Sequence, residues 1–369
     1  MSSQDEQFTI GVEEEYQIVH PQTRELRPRA ARLLAQEAVG ENVTPELYLS
    51  QIEIGTPICH TLADVRHQLV RLRREVIRAA ERDGSRIAAA GTHPFSHWED
   101  QQITPKARYV GIWQDYQQLA REQLIFGCHV HVGIKDRELA IQVINRVRPH
   151  LHALLALAAN SPFWLGSDTG YASFRTELWR RWPMSGTPQV FSSRAEYDAL
   201  VDELVATGSV TDASKIYWDA RPSLRFETVE FRVTDVCLTV DEAVMVAGLA
   251  RALARTCYDQ AARNEPMEHA RPEILRAAKW RAARYGLDAD LIDVEAKRAA
   301  PAVEVIEGLL DFLRPSLEAH KEWDEISTLV RETVERGNGA SRQRAAYTAA
   351  NSLETVVDFI ATETAKGVA

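Results

Sequence analysis

TIGVEEEYQIV, residues 9–19, alternates apolar and polar side chains with the two-residue period of a β-strand. Ile10, Val12, Tyr16 and Ile18 share one face, and Thr9, Gly11, Glu13, Glu15 and Gln17 share the other. Glu14 falls on the apolar face, where it requires a partner or a place near an edge. Three further stretches repeat the pattern. In LIFGCHVHVGI, residues 124–134, Cys128, Val130, Val132 and Ile134 point inward, while Gly127, His129, His131 and Gly133 point the other way. ETVEFRVTDV, residues 227–236, sets Glu230 and Arg232 two apart, and ELYLSQIEIGTP, residues 46–57, aligns Leu49, Gln51 and Glu53. Carboxylates, imidazoles and a guanidinium gathered on one sheet face make a poor core and suit a metal–phosphate site.

Working outward, PQTREL reads as a turn and RAARLLAQEA as a short helix. Thr61 and Asp64 open a long helix with an apolar stripe of Leu62, Val65, Leu69, Leu72 and Val76. RIAAAGTHPF predicts a strand running into a loop, and YVGIWQDYQQLAREQ a helix. Asp136 caps a predicted helix over 137–160, kinked near Pro149 because proline breaks the hydrogen-bond ladder. Residues 161–192, rich in Gly, Pro, Ser and aromatics, read as a long irregular stretch, a functional loop or lid. A helix over 195–207 and strands near 214–219 and 224–236 follow, and from Asp241 to Glu363 the pattern is almost wholly helical, with a late glycine break in RGNGASRQR. The expectation is one α+β domain over 1–369. It comprises a mostly antiparallel sheet with helices packed on one face and a helical C-terminal portion from about 241, leaving the other sheet face for a site.

The 369 residues are 45% hydrophobic and 26% charged, ordinary for a globular protein. A net charge of −10 argues against non-specific nucleic-acid binding, so an anionic substrate needs local arginines or bound cations. Cys59, Cys128, Cys237 and Cys257 are scattered and form no CxxC pair, which suits reduced thiols and a cytoplasmic location. MSSQDEQ has neither the basic nor the apolar region of a secretory signal, and LHALLALAA is too short to span a bilayer, so no membrane partner is expected.

Each constellation has a bland reading beside the functional one. Glu13 and Glu15 could be a solvated strand face, or a pair of hard oxygen ligands for Mg²⁺ or Mn²⁺. His129 and His131 could be hydrogen-bonded core residues, but a pair on one strand face bracketed by glycines suits zinc or a mixed oxygen–imidazole site for Mg²⁺ or Mn²⁺. Glu230 and Arg232 could be an ordinary intrastrand ion pair, but Arg221 and Arg225 lie just upstream in WDARPSLRFETVEFR. Arginine forks bind phosphate and carboxylate bidentately, so the set reads as a nucleotide-phosphate site bridged by metals. The chain has no GxxxxGK[ST], no GxGxxG after a strand and no HExxH. A zinc-dependent hydrolase using His129 and His131, and a non-catalytic glutamate- or nucleotide-binding protein, are the rival readings.

GVEEEYQIV, SQIEIGTP, GCHVHVGI, YASFRTELW, WDARPS and TVEFRVTDV occur in this order, and GNGASRQRAAYTA follows near the C-terminus. Together they resemble the glutamate–cysteine ligase family, in its carboxylate–amine ligase branch, from about residue 8 to 360. The resemblance implies a glutamine-synthetase-like fold whose curved antiparallel sheet holds ATP, divalent metals and an amino-acid carboxylate on its concave face. It implies a two-step reaction, in which ATP phosphorylates the γ-carboxylate of glutamate and an amine, cysteine or another, attacks the acyl phosphate. Position by position it implies metal ligands at Glu13, Glu15, Glu53, His129 and Glu230, with Glu53 also catalytic. It places Arg232 on the transferring phosphoryl group, His131, Arg221 and Arg225 on phosphate or substrate, and Tyr171, Ser173 and Arg175 in an amino-acid clamp. Glu13 and Glu15 match while the inward-facing Glu14 does not, as the strand period requires. One departure is Ala277 and Ala278 before KWRAARYG, where close relatives are expected to be polar; if that segment touches the amine site, the acceptor differs from cysteine. The oligomeric state stays open, a homodimer included.

Overall fold

The computed structural model describes residues 7–267 and 269–368. Its main sheet takes β1 (Ile10–Val19), β2 (Val43–Pro45), β3 (Gln51–Gly55), β4 (Arg86–Ala88), β5 (Gly127–Gly133), β6 (Ala220–Pro222) and β7 (Thr228–Asp235). Their order is β6-β7-β5-β1-β3-β2, with β4 pairing the far end of β1, and every pairing in this sheet is antiparallel. The α+β expectation holds, and the sheet is open rather than a closed barrel.

The helices that position the site are α1 (Leu62–Arg82), α2 (Ala107–Tyr116), α3 (Arg137–Val147), α4 (Leu151–Ala158), α5 (Phe174–Trp179) and α6 (Val240–Ala262). The capping box expected at Thr61 and Asp64 forms: the Thr61 side chain accepts from the Asp64 amide and Asp64 accepts from the Thr61 amide. The helix expected over 137–160 with a kink near Pro149 is instead two helices, α3 and α4, separated by a 3-10 turn at Arg148–His150. Ile10, Val12, Tyr16, Ile52, Ile54, Cys128, Val130, Val132, Val229 and Phe231 are buried beneath the sheet, where α1 packs on β1 and α6 on β5.

Glu14 finds its partner in that core. Arg73 of α1 reaches it with Nη2 at 2.5 Å and Nε at 3.0 Å, the Tyr16 hydroxyl donates to it at 2.5 Å, and both charged side chains are fully buried. Arg73 spends its remaining donors on the Cys237 and Leu238 carbonyls, tying the C-terminal side of β7 to the first strand.

Three expectations are corrected. The C-terminal part contains a two-stranded hairpin, Leu291–Asp293 with Arg298–Ala300, because Gly286 at a positive φ of 57° ends the helix Pro272–Tyr285 and the chain restarts extended. The third strand begins at Gln51 rather than near Leu49, whose amide and carbonyl bond instead to Gln102 and Ala30. Residues 161–192 are not structureless, since they carry α5, one short two-stranded ladder, and a short strand that pairs with Tyr217–Trp218.

One irregularity in the sheet matters for chemistry. Phe231 pairs with Val130, but Thr234 pairs with Cys128 and Asp235 with Gly127, so β7 holds one extra residue between them. Such a bulge switches the side-chain parity of everything beyond it. Asp235, which strict alternation would send into the core with Phe231, thereby joins the face of Glu230 and Arg232.

Candidate active site

Strand register sets the site. Across β3, β1, β5 and β7 the paired positions are Glu53 with Glu15, Glu13 with His129, and His131 with Glu230. These residues all alternate outward on the same face, where neighbouring Cβ atoms stand about 5 Å apart. They line a cleft of about 470 Å³ together with Arg175 from α5, Arg221 from β6 and Arg232 from β7. Tyr109 of α2, with Trp179, Trp182 and Tyr217, forms its aromatic wall, to which Ile112 of α2 adds an aliphatic side chain.

Two ligand groups stand out among the described residues. Glu13, His131 and Glu230 offer atoms all within 4.8 Å of one another, and so do Glu15, Glu46 and Glu53. In the first, Glu13 touches His129 Nδ1 and His131 Nε2, each at 3.3 Å, and His131 Nδ1 meets the Thr228 hydroxyl at 3.0 Å. Glu230 accepts from Arg221 Nε at 2.8 Å and from Arg232 Nη1. In the second, the Gly127 amide donates to Glu15 at 2.6 Å, the Leu47 amide to Glu46 at 2.6 Å and the Thr44 hydroxyl to Glu53 at 3.2 Å.

The electrostatics of the two groups differ. Burial opposes the charge of Glu13, but contacts with His129 and His131 outweigh it and hold the carboxyl below its usual range. Burial likewise opposes the charge of Glu230, and Arg232, Arg221 and His131 overcome it. Glu15, Glu46 and Glu53 go the other way. Burial raises all three, and Glu53 rises well above the carboxylate range under the added charge of Glu13, Glu46 and Glu15. Three carboxylates that repel one another in a desolvated corner suit a hard divalent cation, which takes oxygen ligands and removes the repulsion. His129 Nε2 is buried without a hydrogen-bond partner among the described residues, and His131 Nε2 meets only the Glu13 carboxylate at 3.3 Å, as nitrogens beside a cation site would be. The donor set fits divalent metal ions.

Of the residues singled out from sequence, Glu13, Glu15, Glu53, His129, His131, Glu230, Arg175, Arg221, Arg225 and Arg232 all line the cleft. His131 rather than His129 completes the first trio. Tyr171 and Ser173 are not among the lining residues. Tyr171 packs beneath the Arg284 guanidinium and accepts from the Trp280 indole, whereas Ser173 caps α5 and donates to Asp235. Ala277 and Ala278 are also outside this lining, and Ala278 packs with Leu275 and Val294. Glu46 escaped sequence reading. It lies in the connection between β2 and β3, at the start of ELYLSQIEIGTP but off the parity of Leu49, Gln51 and Glu53, and its one signal is the Pro45–Glu46 dipeptide at a strand end.

Residues 9–358 match a family model described as glutamate–cysteine ligase family 2. The chain belongs to that family. A relative from Rhodopirellula baltica named for glutamate–cysteine ligase 2 is 41% identical over 363 residues, covering 96% of each chain. Another so named, from Sorangium cellulosum, is 42% identical over 368 residues, covering 99% of this chain and 98% of the relative. Among solved structures, a glutamate–cysteine ligase from Francisella tularensis in complex with AMP superposes with a TM-score of 0.69 at 13% identity, covering 97% of this chain and 88% of that one. A bifunctional glutathione synthetase from Pasteurella multocida gives the same TM-score, 0.69, at 16% identity; it covers 98% of this chain, which spans about half (53%) of that longer protein. At such identities the likeness is one of fold. Membership of glutamate–cysteine ligase family 2 makes the chain a C–N bond-forming ligase, in agreement with the resemblance carried by its strand motifs.

Proposed function

We propose that this chain joins the γ-carboxylate of glutamate to an amine in an ATP-dependent reaction that passes through γ-glutamyl phosphate. The observation that carries the reading is the pair of ligand trios, Glu13–His131–Glu230 and Glu15–Glu46–Glu53, facing one cleft that also holds Arg175, Arg221 and Arg232. The AMP in the Francisella tularensis relative supports a nucleotide in the same fold.

The first step forms a bond between a γ-carboxylate oxygen and the terminal phosphorus of ATP as the bond to ADP breaks. In the second, the amine nitrogen attacks the acyl carbon, the acyl–phosphate bond breaks, and a proton leaves the nitrogen. Glu13, His131 and Glu230 would hold one divalent cation and Glu15, Glu46 and Glu53 another, with His129 Nε2 as a further ligand. Such cations, when bound, neutralise phosphate charge. Arg232 stands beside Glu230 with its Nε buried and unpartnered, so a donor remains to stabilise charge on the transferring phosphoryl group. Arg221 is already spent on Glu230 and on the Ser214 and Ile216 carbonyls, which makes it the support that holds Glu230 in place. Arg225 and the exposed Leu224 and Phe226 sit on the β6–β7 turn at the cleft mouth, placed to meet substrate from outside. The all-oxygen trio favours Mg²⁺ or Mn²⁺ over zinc.

The test is ADP release from the full chain with Mg²⁺, ATP and glutamate across a panel of amines. The reading requires release that depends on both glutamate and an amine. Turnover without nucleotide would support the hydrolase instead, and nucleotide binding with no turnover across the panel would support a binding protein.

A further inference from the structure

Arg175 carries a positive charge in an unusual place. Its side chain is 5% exposed, its Nε is buried without a hydrogen-bond partner among the described residues, and it lines the same cleft as Glu15 and the aromatic wall. Burying a guanidinium is costly unless a counter-charge lies close. Asp235 is that counter-charge. It is fully buried, and its Oδ1 stands 4.0 Å from Arg175 Nη1.

Neutral donors hold the Asp235 carboxylate in place. The Ser161 hydroxyl donates at 2.7 Å, the Ser173 hydroxyl at 2.7 Å and the Asn160 amide at 2.8 Å. None of these groups is charged, so the negative charge is fixed in position but not neutralised. The surrounding backbone is cut to the same shape. A Cβ on Gly127 would come within 2.4 Å of Arg175 Nη2, and a Cβ on Gly91 within 2.7 Å of Asp235 Cγ. The bulge in β7 is what brings Asp235 to this face at all, opposite Gly127.

We propose that Asp235 is the positioning residue for Arg175, fixing the guanidinium where its unspent donors meet a substrate carboxylate. Ser173 then serves the same end indirectly, by holding Asp235 rather than by touching substrate. The inference rests on the ligase reading, in which that carboxylate belongs to glutamate. A charged partner behind the fork leaves the donors on its open side oriented for bidentate contact, so binding pays less rotamer entropy.

The test is a double-mutant cycle in the full chain, with calorimetric affinities for glutamate and, separately, for a non-hydrolysable ATP analogue, both with Mg²⁺. Arg175→Ala is expected to weaken glutamate by tenfold or more while nucleotide affinity stays within about twofold. Asp235→Asn should reproduce that pattern, and the double variant should be no weaker than Arg175→Ala alone, because a residue acting only through Arg175 has nothing left to act on. If Asp235→Asn does not fold, Ser161→Ala removes one of the donors that hold the Asp235 carboxylate, and a smaller glutamate-selective loss with the same non-additivity against Arg175→Ala is expected. Additive losses, or equal weakening of glutamate and nucleotide, would show a merely structural role and overturn the inference while leaving the ligase reading standing. An Arg175→Ala variant that binds glutamate normally would remove the clamp itself and take the inference with it.

Discussion

Glu53 faces Glu15 in the β1–β3 ladder and meets Glu46 across the strand end, so the three carboxylates share one desolvated corner. Groups arranged this way work against folding until a cation joins them. Glu53→Gln and Glu46→Gln are therefore each expected to lower turnover by about 100-fold or more, with a melting temperature in metal-free buffer that is unchanged or higher. Glutamate-dependent ADP release and thermal unfolding of the same preparations check this, and near-normal rates would remove either residue from the site. Glu230→Gln should also abolish turnover, but at some cost in stability, because Arg221 and Arg232 lose their shared counter-charge. Legibility divides along the same line. Glu13, Glu15, His129, His131, Glu230 and Arg232 could be read because two-residue spacing in an apolar strand leaves one face to explain. Glu46 could not, being in the connection before β3 and off its parity, and Asp235 could not, because a one-residue bulge reverses the parity that alternation predicts.

At the scale of elements, β1 depends on a buried ion pair directly behind its two outward glutamates. Arg73 and Glu14 are both fully buried, so removing one strands the other. Arg73→Met is expected to destabilise the protein by about 3–5 kcal/mol, whereas pairing it with Glu14→Leu should recover much of that loss. Urea unfolding of the single and double variants measures both, and a single variant within about 1 kcal/mol of the natural chain would show that the pair contributes little. The charge of Glu14 was legible as a demand for a partner, but the partner was not. Arg73 lies on the helical stripe adjoining Leu69, Leu72 and Val76, and only the packing of α1 under β1 selects it from the other arginines of that helix. The C-terminal hairpin was missed for a related reason: a short strand pair inside a helix-rich segment is set by where Gly286 turns the chain.

For the molecule as a whole, acid stability reports on histidines held neutral in the core. His93 donates from Nε2 to the Arg24 carbonyl and accepts the Phe95 and Ser96 amides at Nδ1, so protonation has no room, and burial lowers its pKa to about 4. A folded pKa below the unfolded value of about 6.5 means that the unfolded chain takes up the proton first. The contribution of His93 is complete above pH 6.5 and is lost at about 1.4 kcal/mol per pH unit as pH falls towards 4. The raised carboxylates Glu15, Glu46 and Glu53 act in the opposite sense, so the slope is read as the stability difference between the natural chain and His93→Gln. That difference should shrink between pH 7 and pH 5 in urea titrations, and a constant difference would refute the assignment. The same whole-molecule view accounts for how the net charge of −10 coexists with an anionic substrate, since arginines from β6, β7 and α5 converge on the cleft from three separate elements.

A cleft that activates glutamate as an acyl phosphate must yield to hydroxylamine, which traps that intermediate without knowledge of the natural amine. With ATP, Mg²⁺ and glutamate the full chain should form γ-glutamyl hydroxamate in step with ADP, and Glu53→Gln should form none. Hydroxamate without nucleotide, or its absence while ATP and glutamate are both bound, would rule out an acyl phosphate in this cleft.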